Sequence, residues 1–214
     1  MPISKATVLS ILGALAFGAG TLIGADELPR TVAGLSLVGT HTRAVAVAVR
    51  NREGALIAEA EPAIAVLRTS PLSPNDPVRD GAREFEVLLT VGSLLRHHAL
   101  SGVVGIGNRH GLLMPDTEQA LNRSALMGIP VVKVAQLGGY ADTFADNLLI
   151  EAGAHTEESA KELLAACILR FGALPPAANP ANPTEAELTA IRAKLAQYQN
   201  AFNVARTPVL VASR

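Results

Sequence analysis

The chain has one cysteine, no tryptophan, and aromatic side chains at only 3% of its 214 residues. A single thiol, Cys167, rules out an intrachain disulfide framework, so a folded state must rest on a hydrophobic core. With 49% hydrophobic residues and few aromatics, that core is expected to consist of Ala, Val, Leu and Ile. The formal charge of −1 removes the electrostatic case for nucleic acid or an anionic membrane as partner. Lys and Arg are scattered, and no basic patch alternates with aromatics. There is no P-loop, dinucleotide fingerprint, nucleophile elbow, metal-ligand spacing or internal repeat, so neither a cofactor nor a metal is expected.

What the chain does have begins at its N-terminus. Lys5 precedes an apolar segment from Val8 to Ile23, followed by Gly24-Ala25-Asp26-Glu27-Leu28-Pro29. A short positive region, a hydrophobic stretch and small residues before a polar junction describe a secretory signal peptide. Cleavage is expected after Ala25, with Gly18 to Gly20 as the other position. The segment is short of the roughly 20 residues a stable span requires and carries Gly13, Gly18, Gly20 and Gly24, so no membrane span is expected after cleavage. Export of a chain without disulfides fits a bacterial periplasm, or secretion.

Residues 26–78 read as a β-hairpin region with a Pro-rich connector. Arg43 to Arg50 alternates with a period of two, Val45, Val47 and Val49 on one face and alanines on the other. Asn51-Arg52-Glu53-Gly54 is expected to turn that strand into Ala55 to Ala60, with another short strand from Ala63 to Leu67. Ser70 to Pro77, with prolines at 71, 74 and 77, reads as a subdomain boundary.

Residues 79–214 read as an α/β domain. Phe85 to Thr90, Val103 to Ile106 and Ile129 to Val134 are expected strands, and Ser93 to Leu100 and Asp116 to Met127 expected helices. Strands joined by helices imply a small parallel sheet flanked by helices. Thr156 caps a helix with Leu163, Leu164, Cys167, Ile168 and Phe171 on its apolar face, and Gly172 stops it. Thr184 and Glu187 have capping-box spacing ahead of a stripe of Leu188, Ile191, Leu195 and Tyr198. Pro208 to Ala212 is a last short strand or a docked tail.

Several of these segments, in order, resemble the C-terminal domain of the L-asparaginase/glutaminase family, closest to its type I branch. The likeness covers roughly Glu84 to Phe202. Phe85-Glu86-Val87-Leu88-Leu89 is similar to that domain's opening strand, and Leu94 through Val104 to its first helix and second strand. Gly105-Ile106-Gly107-Asn108 is similar to the glycine- and asparagine-rich loop that follows. Gly128 to Val132 with Gln136 and Gly139, Ala152-Gly153 with Ser159 to Leu164, and Leu195 to Tyr198 resemble later elements.

The resemblance implies an amidohydrolase ancestry without the amidohydrolase site. Family enzymes hydrolyse a side-chain amide with a Thr nucleophile, and a second Thr, an Asp and a Lys complete the site on an N-terminal domain. The stretch ahead of the matched region is too short for that domain, and it has no Thr-Gly-Gly-Thr loop. Gly39-Thr40-His41-Thr42 is the nearest echo of the second motif, Gly-Thr-Asp-Thr, with His in place of the acid. Thr40 and Thr42 are therefore the weak nucleophile candidates. Because the family domain lies at subunit interfaces, a homo-oligomer is also implied. At the position of the family's substrate-contacting Asn this chain has His110.

The residues themselves nominate a ligand site. Asn108, Arg109 and His110 follow an expected strand, and Gln136 follows another. Arg supplies charge, Asn and Gln both faces of an amide, and His a switchable donor. Loops at the carboxyl ends of parallel strands are where such folds bind ligands. A small amino-acid-like ligand is the expected partner. His97 and His98, adjacent on a helix, point about 100° apart and make no chelating pair. The alternatives are an active amidohydrolase acting on L-asparagine or L-glutamine through a Thr, and a structural envelope protein.

Overall fold

The computed structural model describes residues 28–39, 41–68, 77–108, 113–135 and 147–204. The expected leader, most of the Pro-rich connector and the Pro208–Ala212 tail lie outside the described residues. In chain order the elements are β1 (Thr31–Val38), β2 (His41–Ala48), a 3-10 turn (Ala58–Ala60), β3 (Ala63–Arg68), α1 (Pro77–His97), β4 (Ser101–Ile106), α2 (Pro115–Leu126), β5 (Val131–Val134), β6 (Ile150–Glu151), α3 (Glu157–Phe171) and α4 (Glu185–Val204). The protein is α/β: a four-stranded, all-parallel sheet ordered β3-β4-β5-β6, flanked by helices, with a separate antiparallel pair, β1-β2.

Alternation along the strands divides the core into two layers. Val103 and Val131 pack with Val87, Val91 and Leu95 of α1 and Leu121 of α2. Val104, Val132, Val134 and Ile150 pack on the other face with Leu164 and Ile168 of α3 and Tyr198 and Phe202 of α4. β4 and β5 are buried along their whole length. This accounts for their reading as continuous apolar runs, since a central parallel strand has no solvent face.

The helix ends follow local chemistry. Thr156 Oγ1 accepts from Ser159 N at 3.3 Å, and Gly172, at φ 74°, ends α3. Gly172 also lies tight against the hairpin: a Cβ there would stand 2.6 Å from Ala33 O. The capping box at α4 is closed, Glu187 Oε2 accepting from Thr184 N at 2.7 Å and Thr184 Oγ1 accepting from Glu187 N at 3.3 Å.

Two expectations are corrected, and one strand goes beyond them. Phe85 to Thr90 is not a strand but the middle of α1, and the strand that opens the sheet is β3. Val87, Val91 and Leu95 recur every four residues and are buried, whereas Phe85 and Leu89 are exposed, which is helical periodicity. The hairpin partner of β2 is β1, with Val38 opposite His41. The Asn51–Gly54 turn does form, but the arm beyond it contributes only the single bridge Arg50–Leu56. Finally, β6 is a strand of two residues with no alternation to announce it; pairing with Val132 and Lys133 defines it. The Ala63–Leu67 strand is present and joins the parallel sheet, on the N-terminal side of the Pro-rich connector.

The hairpin sits at the amino edge of the sheet. Leu35 N donates to Ala99 O at 2.7 Å, just ahead of β4, and Ala173 N donates to Ala33 O at 2.6 Å. Leu35 is buried beside Gly128, just ahead of β5. The carboxyl edge faces the other way.

Candidate functional site

All four strands of the sheet end at one edge, because all four run parallel. β3 stops at Arg68, β4 at Ile106, β5 at Val134 and β6 at Glu151. Gly107 N donates to Val134 O at 2.9 Å, carrying the β4–β5 pairing past the strand ends. Asn108 follows, exposed at the rim. The helices α2 and α3 begin at the same edge. Across it Arg68 Nη2 reaches Glu157 Oε1 and Oε2, both at 2.6 Å, in a largely solvent-exposed ion pair.

The unusual residue is Lys133. It is the penultimate residue of β5, and its side chain is 1% exposed between the valines of the central sheet. A lysine ammonium in such a place is strongly disfavoured unless charge and hydrogen bonds compensate it. Glu118, in the first turn of α2, supplies the opposite charge, its Oε1 3.8 Å from Lys133 Nζ. The same Oε1 accepts from Asn147 Nδ2 at 2.8 Å.

Asn147 begins the segment leading into β6, and α2 holds it in place. Asn147 Oδ1 accepts from Leu149 N at 2.9 Å, and Asn122 Oδ1 accepts from Leu148 N at 2.8 Å. Asn122 Nδ2 in turn donates to Glu118 O at 2.9 Å. Cation, carboxylate and amide are thus gathered at the carboxyl edge on three different elements. Chemically the set holds a buried cation behind a partly exposed carboxylate and amide, which can face an ammonium and hydrogen-bond an amide.

Of the residues nominated from sequence, Asn108 stands at this edge. Arg109, His110 and Gln136 lie outside the described residues, as does Thr40. Thr42 is on β2, opposite Leu37, in the hairpin at the amino edge, so the fold does not bring it to Asn108 or Lys133. His97 and His98 are both exposed around the end of α1. Cys167 is fully buried in α3, and burial pushes its thiol far above the ordinary range. Among the described residues no group of three His, Cys, Asp or Glu side chains could hold a metal ion. No described helix is long and apolar enough to cross a membrane.

Sequence reasoning passed over Lys133, Glu118 and Asn147. Its signal was present: one charge inside Val131-Val132-Lys133-Val134, a run otherwise fit only for a buried strand. Glu118 reads locally as ordinary first-turn acidity, and only the fold shows which cation it meets.

Fold and site together define a three-layer α/β protein with a buried polar cluster at the carboxyl edge of a parallel sheet. Compared with known proteins, the chain matches no protein-family model and no curated protein sequence.

Proposed function

We propose that this chain binds a small amino-acid-like ligand at the carboxyl edge of its sheet and is catalytically incomplete. The observation that carries this reading is the Lys133–Glu118 pair with Asn147 at its side. An α-amino acid presents a carboxylate and an ammonium a few ångströms apart; Glu118, which keeps 17% of its side-chain surface, faces the ammonium, and the buried Lys133 positions Glu118 from behind. Asn147 and Asn108 offer donors and acceptors for a side-chain amide or acid. The resemblance to the asparaginase/glutaminase C-terminal domain supports the same ligand class. The export reading rests on the N-terminal Lys5, the Val8 to Ile23 apolar segment and Gly24-Ala25, and in it the mature chain begins at Asp26. Arg109, His110 and Gln136 follow the strands that end at this edge and are the further ligand contacts in this reading.

The test is isothermal titration of the purified chain with L-aspartate, L-asparagine, L-glutamate and L-glutamine, paired with an assay of ammonia release from the two amides. The expected result is saturable binding of at least one, lost in Lys133→Met, with no ammonia released. Absence of binding by all four at millimolar concentration would sink the proposal. Turnover would instead establish an amidohydrolase, and Thr40→Ala and Thr42→Ala would then identify the nucleophile.

A further inference from the structure

α1 buries one face against the sheet and leaves the other uncovered among the described residues. Val87, Val91 and Leu95 turn inward. Phe85 and Leu89 stand 62% and 55% exposed, two of the three large apolar side chains so exposed among the described residues. Gly92 and Arg96 continue their stripe: at 3.6 residues per turn the four fall within an arc of about 60°. Gly92 lies inside the helix, where glycine is a poorer choice than alanine, yet its own chain does not require it. A Cβ there would meet nothing within 4 Å. The stripe is therefore an apolar ridge beside a notch. Arg96 and the flanking Glu86 are both exposed, and neither makes an ion pair among the described residues.

We infer that this face is a homodimer interface in which α1 crosses α1 of a second copy antiparallel, about a two-fold axis level with Thr90 and Val91. The stripe is its own complement about that point. Leu89 and Gly92 are equally far from the axis, as are Phe85 and Arg96. Leu89 of one copy thus fills the notch at Gly92 of the other, and Arg96 lies across the ring of the other copy's Phe85. The axis repeats both contacts, and a shallow crossing of about 20° lets both pairs meet. Moving the crossing one turn toward either end sets Phe85 against Leu89, or Gly92 against Arg96, and leaves the notch without a large apolar side chain. Charge selects the direction. Antiparallel pairing brings Glu86 of each copy beside Arg96 of the other, whereas parallel pairing would set the two Arg96 side chains together. A single helix pair is a small interface, so the dimer forms reversibly with concentration.

Charge exchange tests the pairing. In sedimentation equilibrium the wild-type chain is expected to double its mass as concentration rises. Glu86→Arg and Arg96→Glu each set like charges together in their own homodimer, and each is expected to weaken association by roughly tenfold or more. An equimolar mixture of the two variants restores both Glu–Arg contacts and is expected to recover wild-type association. Gly92→Leu raises helix propensity at a position that opens onto space, so it is expected to keep native circular dichroism while losing the dimer. A chain that stays monomeric at every concentration overturns the inference, including the case in which another segment of the same chain lies on this face. A dimer that Gly92→Leu leaves intact uses another surface and overturns it equally. So does a mixture of the charge variants that associates no better than either alone.

Discussion

Lys133 Nζ lies 3.8 Å from Glu118 Oε1, joining the end of the central strand β5 to the first turn of α2. The two charges are unequal in setting: the lysine is buried, whereas Glu118 keeps 17% of its side-chain surface. Removing the carboxylate takes a counter-charge from a buried cation, while removing the cation leaves an acid with Asn147 still donating to it and some access to water.

The first prediction follows from that asymmetry. Glu118→Ala should destabilise the chain by about 2–4 kcal/mol, toward the range for breaking a buried pair. Lys133→Met should cost less, and Lys133→Met combined with Glu118→Gln should return to within about 1 kcal/mol of wild type, since the double change removes both charges of the pair together. Urea unfolding of the three variants checks the order; equal losses in both single variants would show that the pair contributes by packing alone.

Tyr198 and Gly172 make a second test. The buried Tyr198 hydroxyl donates to Gly172 O, at the position where α3 ends. Burial also raises the phenol well above its ordinary value, keeping it a neutral donor. Tyr198→Phe leaves that carbonyl unsatisfied and should cost about 1–2 kcal/mol. Gly172→Ala meets both a positive φ and the backbone of Ala33, and should cost more than about 1 kcal/mol. Because both act on the same turn, thermal unfolding of the double variant should show a loss smaller than the two single losses added.

Acid should weaken the start of α4. Backbone N–H groups of Ala178 and Thr184, then the Thr184 hydroxyl, hold the exposed Glu187 carboxyl below its ordinary value. A carboxylate with a depressed folded-state value stabilises above the unfolded-state value and loses that contribution as pH falls through the folded one. Melting temperature followed from about pH 6 to about pH 3 should therefore fall less steeply in Glu187→Gln than in wild type. Identical slopes would remove Glu187 from the account.

Cys167 should be chemically silent in the native state. Burial pushes its thiol up, outweighing the opposite pull of Arg170, so little thiolate forms at neutral pH. An aromatic disulfide reagent should label one thiol per chain in denaturant and essentially none without it. Rapid native labelling would mean that α3 opens far more readily than its packing implies.

The parts of this protein that local sequence determined are those whose cause is local. Thr156, Gly172 and the Thr184–Glu187 pair mark helix ends because their backbone and side-chain bonds close within a few residues. β4 and β5 announced themselves because a strand buried on both faces must be apolar throughout. The parallel α/β class followed from the alternation of elements, and Asn108 could be placed at a strand end for the same reason. Tertiary structure alone decided the rest. The Phe85–Leu89 run is compatible with strand or helix until its packing against the sheet selects the face of Val87, Val91 and Leu95. β6 is a strand only because β5 lies beside it. Lys133, Glu118 and Asn147 are separated along the chain by stretches that carry no record of their meeting. A charge in a buried strand was visible from the start; which groups make it tolerable depends on where α2 and the approach to β6 come to rest.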